Sequence, residues 1–193
     1  MRIIGGREAG TRISTPKGQG VRPTQDRVRE AIFNRLAEAL IDATVLDLFG
    51  GTGAMGLESI SRGASDALCV EKSPIHGRTI QKNAQACGYS QDQFRLRIGC
   101  CFTCIRALAE KNALFDVIFA DPPFGEKTTN KRSQSMAQKL LDDSNLPQIV
   151  HESTIIVIGH ASRDKVEIPS IWQIEKQQRY GDATINFLRK DSS

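Results

Sequence analysis

Four consecutive residues, Asp121-Pro122-Pro123-Phe124, carry groups that suit a specific reaction. They follow the apolar run 115–120, which predicts a buried strand. Proline lacks a backbone N–H and has a fixed φ angle, and the residue before a proline is extended. We therefore expect a rigid corner that presents the Asp121 carboxylate, the Pro122 carbonyl and the Phe124 ring to a ligand.

This set of groups matches the needs of an exocyclic amine on adenine or guanine. Such an amine is planar and a poor nucleophile because its lone pair is delocalised into the ring. The Asp121 carboxylate and the Pro122 carbonyl can accept its two N–H groups and direct the lone pair towards a methyl donor, while Phe124 stacks on the base. A base inside a duplex cannot enter such a corner, so the nucleotide has to be unpaired or flipped. The structural alternative is an Asp helix cap followed by a proline turn.

A glycine-rich segment earlier in the chain has the spacing of a nucleotide-binding loop. Gly51, Gly53 and Gly56 give the pattern G-x-G-x-x-G between a predicted strand and a predicted helix, and Glu71 ends the next predicted strand. Glycines allow a ligand to approach the backbone at a helix N-terminus, and the carboxylate can accept both ribose hydroxyls. NAD and S-adenosylmethionine both suit such a loop, and Asp47 beside it favours the second because that ligand is cationic and has no pyrophosphate. A tight turn without a ligand is the structural alternative.

Alternating strands and helices position both motifs. Strands are predicted at 44–49, 67–71, 94–98, 115–120 and 154–158, with helices at 24–41, 54–62, 75–87, 102–111 and 133–143. A hairpin is predicted at 172–178 and 184–189. Near-continuous apolar strands indicate a parallel sheet covered on both faces. The sequence therefore predicts a doubly wound, Rossmann-like α/β fold with a seven-stranded, mostly parallel sheet and an antiparallel C-terminal hairpin, which binds ligands at the carboxyl ends of its strands.

Positive charge is concentrated near the N-terminus. The 193 residues hold 26 Lys and Arg against 22 Asp and Glu, a net charge of +4, and the excess lies within residues 1–35. This asymmetry indicates a polyanionic partner such as a nucleic acid, and a solvated basic face is the alternative. We interpret residues 1–193 as a single domain in which residues 1–22 form a basic, glycine-rich arm or hairpin.

Composition excludes several other classes of protein. No apolar stretch approaches the roughly 18–20 residues that span a membrane, and the N-terminus has no hydrophobic signal segment. Five cysteines without an export signal indicate reduced thiols and a cytoplasmic protein. Cys101 and Cys104 have C-x-x-C spacing, but no second pair of ligands accompanies them, so we expect buried thiols and no metal site.

Four blocks of sequence together resemble the bacterial RsmD family of amino-methyltransferases that use S-adenosylmethionine. The blocks are MRIIGGR at 1–7, RPTQDRVREAIFN at 22–34, DLFGGTG at 47–53 and DPPF at 121–124. The resemblance covers nearly the whole chain and implies a class I S-adenosylmethionine-dependent methyltransferase fold. It also implies methylation of the N2 amine of a guanine in 16S rRNA, at position 966. We expect the partner to be 16S rRNA or an assembling small ribosomal subunit, and we expect the protein to be a monomer.

The resemblance further implies roles for individual residues. Asp121, Pro122, Pro123 and Phe124 would form the catalytic corner, and the basic arm would contact rRNA. The resemblance implies Asp47, Gly51, Gly53, Glu71, Arg22 and Thr24 on the cofactor side. Among these, Glu71 would hold the ribose. We add Phe49, Lys72 and Cys101 as further candidate cofactor-binding residues.

Three positions depart from the family pattern. Family members usually have Asp or Asn after the third strand, where this chain has Gly99-Cys100-Cys101-Phe102, so a backbone N–H of Cys101 or Phe102 would contact the adenine instead. Gly159-His160 replaces an acid at the end of the fifth strand, and Lys72 follows the ribose acid. We expect none of the three to touch the methyl-transfer corner.

Other functions stay open on the sequence alone. The same chemistry would serve the N6 amine of DNA adenine, another RNA or a protein glutamine, although the 193 residues include no target-recognition domain for DNA. A nicotinamide-dependent oxidoreductase would use the glycine pattern, and a non-catalytic RNA-binding module would use only the basic arm. Binding of S-adenosylmethionine but not NADH separates the methyltransferases from the last two classes.

Overall fold

The computed structural model describes residues 1–16, 26–124 and 133–191. The chain divides into two compact units, Met1–Cys101 and Phe102–Ser193. The helices are α1 (Asp26–Leu36), α2 (Ala54–Ser61), α3 (Pro74–Ala86), α4 (Cys101–Ala109) and α5 (Met136–Leu141). The strands are β1 (Thr44–Asp47), β2 (Asp66–Glu71), β3 (Phe94–Ile98), β4 (Phe115–Ala120), β5 (Val150–Ala161), β6 (Trp172–Tyr180) and β7 (Ala183–Lys190). Among the helices just named, none has the length and apolar character needed to cross a membrane.

Seven strands of the described residues form one sheet in the order β3-β2-β1-β4-β5-β7-β6. Strands β1, β2 and β3 are parallel, and so are β4 and β5, whereas β7 is antiparallel to both β5 and β6. Gly181, with a φ angle of 57°, lies in the turn between β6 and β7. The predicted doubly wound sheet with an antiparallel C-terminal hairpin is confirmed.

A buried helix and apolar strands make the core of the first unit. Val45 and Leu46 of β1 are fully buried, and every residue of α2 except Met55 is buried. Gly56 of α2 lies so close to β3 that a Cβ here would come within 3.0 Å of the Phe94 ring. This glycine therefore lets α2 pack closely on the sheet, which is the role of the third glycine in nucleotide-binding loops.

Residues 1–16 form a short hairpin within the first unit. Arg2 and Arg12 make an antiparallel bridge, and the side chains of Ile3 and Ile13 are buried. Burial of two isoleucines stabilises the hairpin by removing apolar surface from water. We call residues 1–16 the N-terminal arm, and residues 17–22 of the predicted basic arm lie outside the described residues.

Glu58 and Ser61 of α2 fix the backbone of the N-terminal arm. The Glu58 carboxylate is fully buried and accepts the N–H groups of Ile4 and Gly5, each over 3.2 Å. The Ser61 hydroxyl donates to the Gly5 carbonyl over 2.6 Å, and the Arg7 N–H donates to the Ser61 carbonyl over 2.8 Å. Hydrogen bonds to a charged acceptor are among the stronger ones in proteins. The arm is therefore anchored to α2 although its backbone is mostly irregular.

In the second unit, β5 is longer than the sequence predicts. It covers Val150–Ala161, whereas the prediction was 154–158. Glu152 and Ser153, near its start, are exposed. Only the later residues of β5 are continuously buried, so an apolar run in the sequence marks only that part of the strand. The polar residues at its start are therefore not predicted as strand.

Candidate functional site

The glycine-rich loop joins β1 to α2 in a tight turn. The Gly50 N–H donates to the Val70 carbonyl over 2.8 Å, and the Gly53 N–H donates to the Gly50 carbonyl over 2.6 Å. Gly51 and Gly53 have φ angles of 55° and 78°, which residues with side chains rarely adopt. Gly53 directly precedes α2, so the loop ends at a helix N-terminus, where backbone N–H groups favour electronegative ligand groups.

Glu71, at the end of β2, is held against this loop. Its Oε2 accepts the Gly51 N–H over 2.8 Å, and its Oε1 accepts the Ser73 N–H over 2.7 Å. A carboxylate has about four lone-pair sites, so both oxygens can accept further hydrogen bonds. The predicted ribose acid therefore lies beside the glycine loop with its carboxylate already oriented.

Asp47 is buried beneath the loop and supports its backbone. The residue is only 2% exposed, and its carboxylate accepts the Phe49 N–H over 3.3 Å. Its other oxygen lies 3.9 Å from the Cys69 Sγ. Burial, reinforced by the Asp47 carboxylate, raises the pKa of the Cys69 thiol, which therefore stays protonated. A direct contact of Asp47 with a cationic ligand stays a prediction.

The remaining residues predicted on the cofactor side have different environments. Phe49 is half-buried in the glycine-rich loop, and Lys72 is exposed directly after β2. Cys101 is buried at the start of α4. Arg22 and Thr24 lie outside the described residues. The contacts of all five with a cofactor stay predictions.

Asn83 of α3 links the N-terminal arm to the glycine loop, and the sequence pattern did not reveal it. Its buried side-chain amide donates to the Thr52 carbonyl over 2.8 Å and to the Ser14 carbonyl over 2.9 Å. Its side-chain oxygen accepts the Ser14 N–H over 2.7 Å. The signal that identifies it is a polar residue three positions after Ile80, on the buried face of α3. A polar side chain there needs partners because burial without hydrogen bonds is unfavourable.

In the second unit, the D-P-P-F corner lies directly after the carboxyl end of β4. Pro122 is buried, whereas Asp121, Pro123 and Phe124 are exposed, with Phe124 at 37%. The Asp121 carboxylate lies over Gly159 of β5, because a Cβ at Gly159 would be only 2.7 Å from Asp121 Oδ1. A larger residue at this position would displace the carboxylate, so the glycine makes room for it. The expectation that the departure at Gly159-His160 does not touch the corner is therefore wrong for Gly159.

A small depression adjoins the corner within the same unit. Its walls include residues 122–124, Ser135, His160 and Asp164. The His160 ring is buried, and its Nδ1 lies 3.0 Å from the Ala161 carbonyl oxygen. Burial lowers the pKa of His160, so the ring is neutral near pH 7.

The chain is similar to known proteins over almost its whole length. A family model described as Conserved hypothetical protein 95 matches residues 1–189. The Escherichia coli (strain K12) protein named Ribosomal RNA small subunit methyltransferase D is 30% identical over 196 aligned residues, which cover 100% of this chain and 91% of that protein.

Solved structures share the fold. The Escherichia coli protein yhhF has a TM-score of 0.79 and 27% identity, and the match covers 100% of this chain and 99% of that one. An RNA methyltransferase from Salinibacter ruber, solved in complex with S-adenosyl-L-homocysteine, has a TM-score of 0.65, and the match covers 89% of this chain and 95% of that one. At 17% identity, the second likeness is one of fold alone.

Proposed function

The chain belongs to the family described as Conserved hypothetical protein 95, the RsmD family, and from that premise we propose that it methylates a guanine of small-subunit rRNA on its exocyclic N2 amine. The expected family and the class I methyltransferase fold are confirmed, and S-adenosylmethionine is the methyl donor of that class. The name of the Escherichia coli relative supports rRNA of the small subunit as the substrate. The D-P-P-F corner supports an exocyclic amine as the methyl acceptor.

The observation that carries this proposal is the corner after β4, with the Asp121 carboxylate seated over Gly159. The Asp121 carboxylate and the Pro122 carbonyl offer only acceptors to an incoming amine, because proline has no N–H. Each would accept one N–H of the amine, which draws the nitrogen lone pair out of conjugation with the ring. The exposed ring of Phe124 would stack on the base and set the direction of attack.

Asp121 has a second part in this reaction. The methyl group would pass from the sulfonium sulfur of S-adenosylmethionine to N2, so that the S–C bond breaks and S-adenosylhomocysteine leaves as the N–C bond forms. Positive charge would then develop on N2. The Asp121 carboxylate stabilises that charge. It can also accept the proton that N2 loses to become a neutral secondary amine.

Residues of the first unit fit S-adenosylmethionine. Gly51 and Gly53 lie in the loop before α2 and have no Cβ, so a ligand can approach their backbone closely. The Glu71 carboxylate is fixed beside them by its hydrogen bond to the Gly51 N–H. A carboxylate with lone pairs to spare suits the two hydroxyls of a ribose. The other residues that we propose to line this site are Asp47, Phe49, Lys72, Cys101, Arg22 and Thr24.

The N-terminal arm supports an RNA substrate. Arg2, Arg7 and Arg12 are exposed, whereas the arm backbone is anchored to α2. Exposed arginines on a fixed backbone suit contacts with phosphates, which position a nucleic acid. We propose that residues 1–193 act as one methyltransferase domain, as a monomer in the cytoplasm, on 16S rRNA or an assembling small subunit.

Labelled S-adenosylmethionine offered with naked 16S rRNA, assembled small subunits and DNA tests the substrate. We expect the label to enter rRNA and nucleotide mapping to find it on N2 of one guanine, for which the family resemblance implies position 966. Label in DNA or in protein alone would overturn the proposal. Binding of NADH in place of S-adenosylmethionine would favour an oxidoreductase instead.

Replacement of Asp121 tests the mechanism. We expect Asp121→Ala to lower kcat by about a hundredfold or more, because the amine loses its charged acceptor. The Kd for S-adenosylmethionine, measured by calorimetry, should stay unchanged. The matched control is Asp116→Ala near the start of β4, where the carboxylate contacts His151 Nε2 over 3.1 Å, and this variant should methylate normally. Methylation by Asp121→Ala at the wild-type rate would refute the mechanism.

A further inference from the structure

Helix α3 connects the two parts of the first unit that the proposed function uses. At its start, the Ser73 N–H donates to Oε1 of Glu71, and the Ser73 hydroxyl caps the helix by accepting the His76 N–H. Near its end, Asn83 holds the backbone of Ser14 in the N-terminal arm. The helix rises about 10 Å between His76 and Asn83. An RNA that is held by the arm and approaches the methyl donor beside Glu71 therefore passes close to α3.

The exposed face of α3 carries positive charge and no negative charge. Arg78 and Lys82 are both exposed, and their spacing of four residues makes them neighbours on one face of the helix. Residues 72–91, which include the whole of α3, contain no Asp or Glu. No acid of the helix or of its flanking residues therefore neutralises these two side chains.

Arg78 and Lys82 also differ from the basic residues that stabilise the first unit. Arg62, for example, pairs with the buried carboxylate of Glu58 over 3.0 Å. Among the residues that the structure describes, no hydrogen bond or ion pair occupies the Arg78 guanidinium or the Lys82 ammonium. The N–H donors of both groups are therefore available to an external anion.

We propose that Arg78 and Lys82 bind phosphates of the substrate RNA, so that the RNA-binding surface continues from the N-terminal arm along α3 towards the cofactor site. The proposal rests on the proposed function for the choice of small-subunit rRNA as the ligand. RNA carries a phosphate at every nucleotide, so several separate cations can contact one strand at the same time. Arg12 lies two residues from Ser14, which Asn83 of α3 holds, so the charges of the arm and of α3 lie on adjoining surfaces.

Neutralisation of the two side chains tests the proposal. We expect the double variant Arg78→Gln and Lys82→Gln to bind naked 16S rRNA more weakly. The slope of log K against log salt concentration should fall by about 0.7–0.9 for each phosphate that is no longer neutralised. Because both side chains are exposed, thermal unfolding and the Kd for S-adenosylmethionine should stay unchanged. A wild-type salt slope in this variant would overturn the proposal.

A charge-matched variant of the second unit separates a local contact from a change in net charge. It replaces Arg106 and Lys111, which are also exposed, with Gln and so removes the same two charges. We expect it to keep the wild-type salt slope. An equal fall of the slope in both double variants would overturn the proposal, because RNA binding would then respond only to the net charge of the protein.

Chemical modification of lysines tests the contact in the wild-type protein. N-hydroxysuccinimide acetate acetylates exposed lysine amines, and mass spectrometry measures the extent at each lysine with and without 16S rRNA. We expect saturating rRNA to slow the acetylation of Lys82 severalfold and to leave that of Lys111 unchanged. Equal acetylation of Lys82 in the two samples would contradict the proposed contact.

The N-terminal arm and α3 should contribute separately to RNA binding. Replacement of Arg2, Arg7, Arg12, Arg78 and Lys82 together by Gln should lower the salt slope by the sum of the two separate reductions, because different phosphates are involved. A combined slope equal to that of the arm variant alone would overturn the extension along α3. Methylation tests the proposed function independently. If rRNA is not methylated but the α3 variant still loses salt dependence, the proposed function fails and the RNA-binding surface stands.

Discussion

Glu71 and Asp47 are both predicted to face the cofactor, yet their surroundings differ. Glu71 holds the Gly51 N–H and keeps lone pairs to accept more, whereas Asp47 is 2% exposed and supports the Phe49 N–H. The motif spacing correctly places both residues at the ends of strands. How far each carboxylate is exposed to a ligand depends on the side chains and backbone packed around that strand end. That difference depends on tertiary contacts and could not be predicted from the spacing.

Glu71→Gln tests the ribose assignment. The variant keeps one side-chain oxygen but loses the charge that strengthens the hydrogen bonds to Gly51 and Ser73. We expect the Kd for S-adenosylmethionine, measured by calorimetry, to rise about tenfold or more. Asp66→Asn, at the other end of β2, is the control and should leave the Kd unchanged. A wild-type Kd for Glu71→Gln would contradict the assignment.

At the scale of elements, apolar runs predict β1, β2, β3 and β4 well, and the G-x-G-x-x-G pattern correctly places a turn before α2. The anchored arm is not predictable in this way. Glu58 bonds to an N–H 54 residues earlier in the chain, and Asn83 bonds to one 69 residues earlier. A local pattern carries no information on such distant partners, although a polar residue on a buried helix face signals that partners exist.

Asn83→Ala should loosen both the N-terminal arm and the glycine loop. It leaves the backbone N–H and carbonyl of Ser14 and the buried carbonyl of Thr52 without the side chain that bonds them. We expect a loss of about 2–4 kcal/mol in the free energy of unfolding, measured by urea denaturation. Gln81→Ala, at an exposed position of the same helix, is the control and should change stability by about 0.5 kcal/mol or less. Equal stabilities of the two variants would show that the Asn83 link contributes little.

At the scale of the whole molecule, part of the uneven charge seen in the sequence lies on a hairpin with a defined fold. Arg2, Arg7 and Arg12 are exposed on the N-terminal arm. Composition alone indicates a polyanionic partner but cannot distinguish a loose tail from an anchored hairpin. The difference comes from Ile3 and Ile13, whose burial fixes the arm to the first unit.

Neutralisation of the three arm arginines tests the RNA interface. We expect replacement of all three by Gln to weaken RNA binding and to reduce the slope of log K against log salt concentration by up to about 0.7–0.9 for each phosphate that an arginine no longer neutralises. Binding of S-adenosylmethionine should be unaffected. The control replaces three exposed arginines of the second unit, Arg106, Arg163 and Arg179, and should keep the wild-type salt slope. Equal weakening of RNA and S-adenosylmethionine binding in the arm variant would mean that the arm is structural.

The anchorage of the N-terminal arm also lowers the entropy cost that the proposed binding of RNA would have. A basic segment without fixed structure loses about 1–2 kcal/mol of backbone freedom per residue when it is ordered on a partner. In this chain the hydrogen bonds to Glu58, Ser61 and Asn83 have already ordered residues 1–14 in the folded protein. Binding then restricts mainly the arginine side chains, at about 0.5–1.5 kcal/mol each. A larger share of the favourable electrostatic free energy would therefore remain in the net free energy of RNA binding.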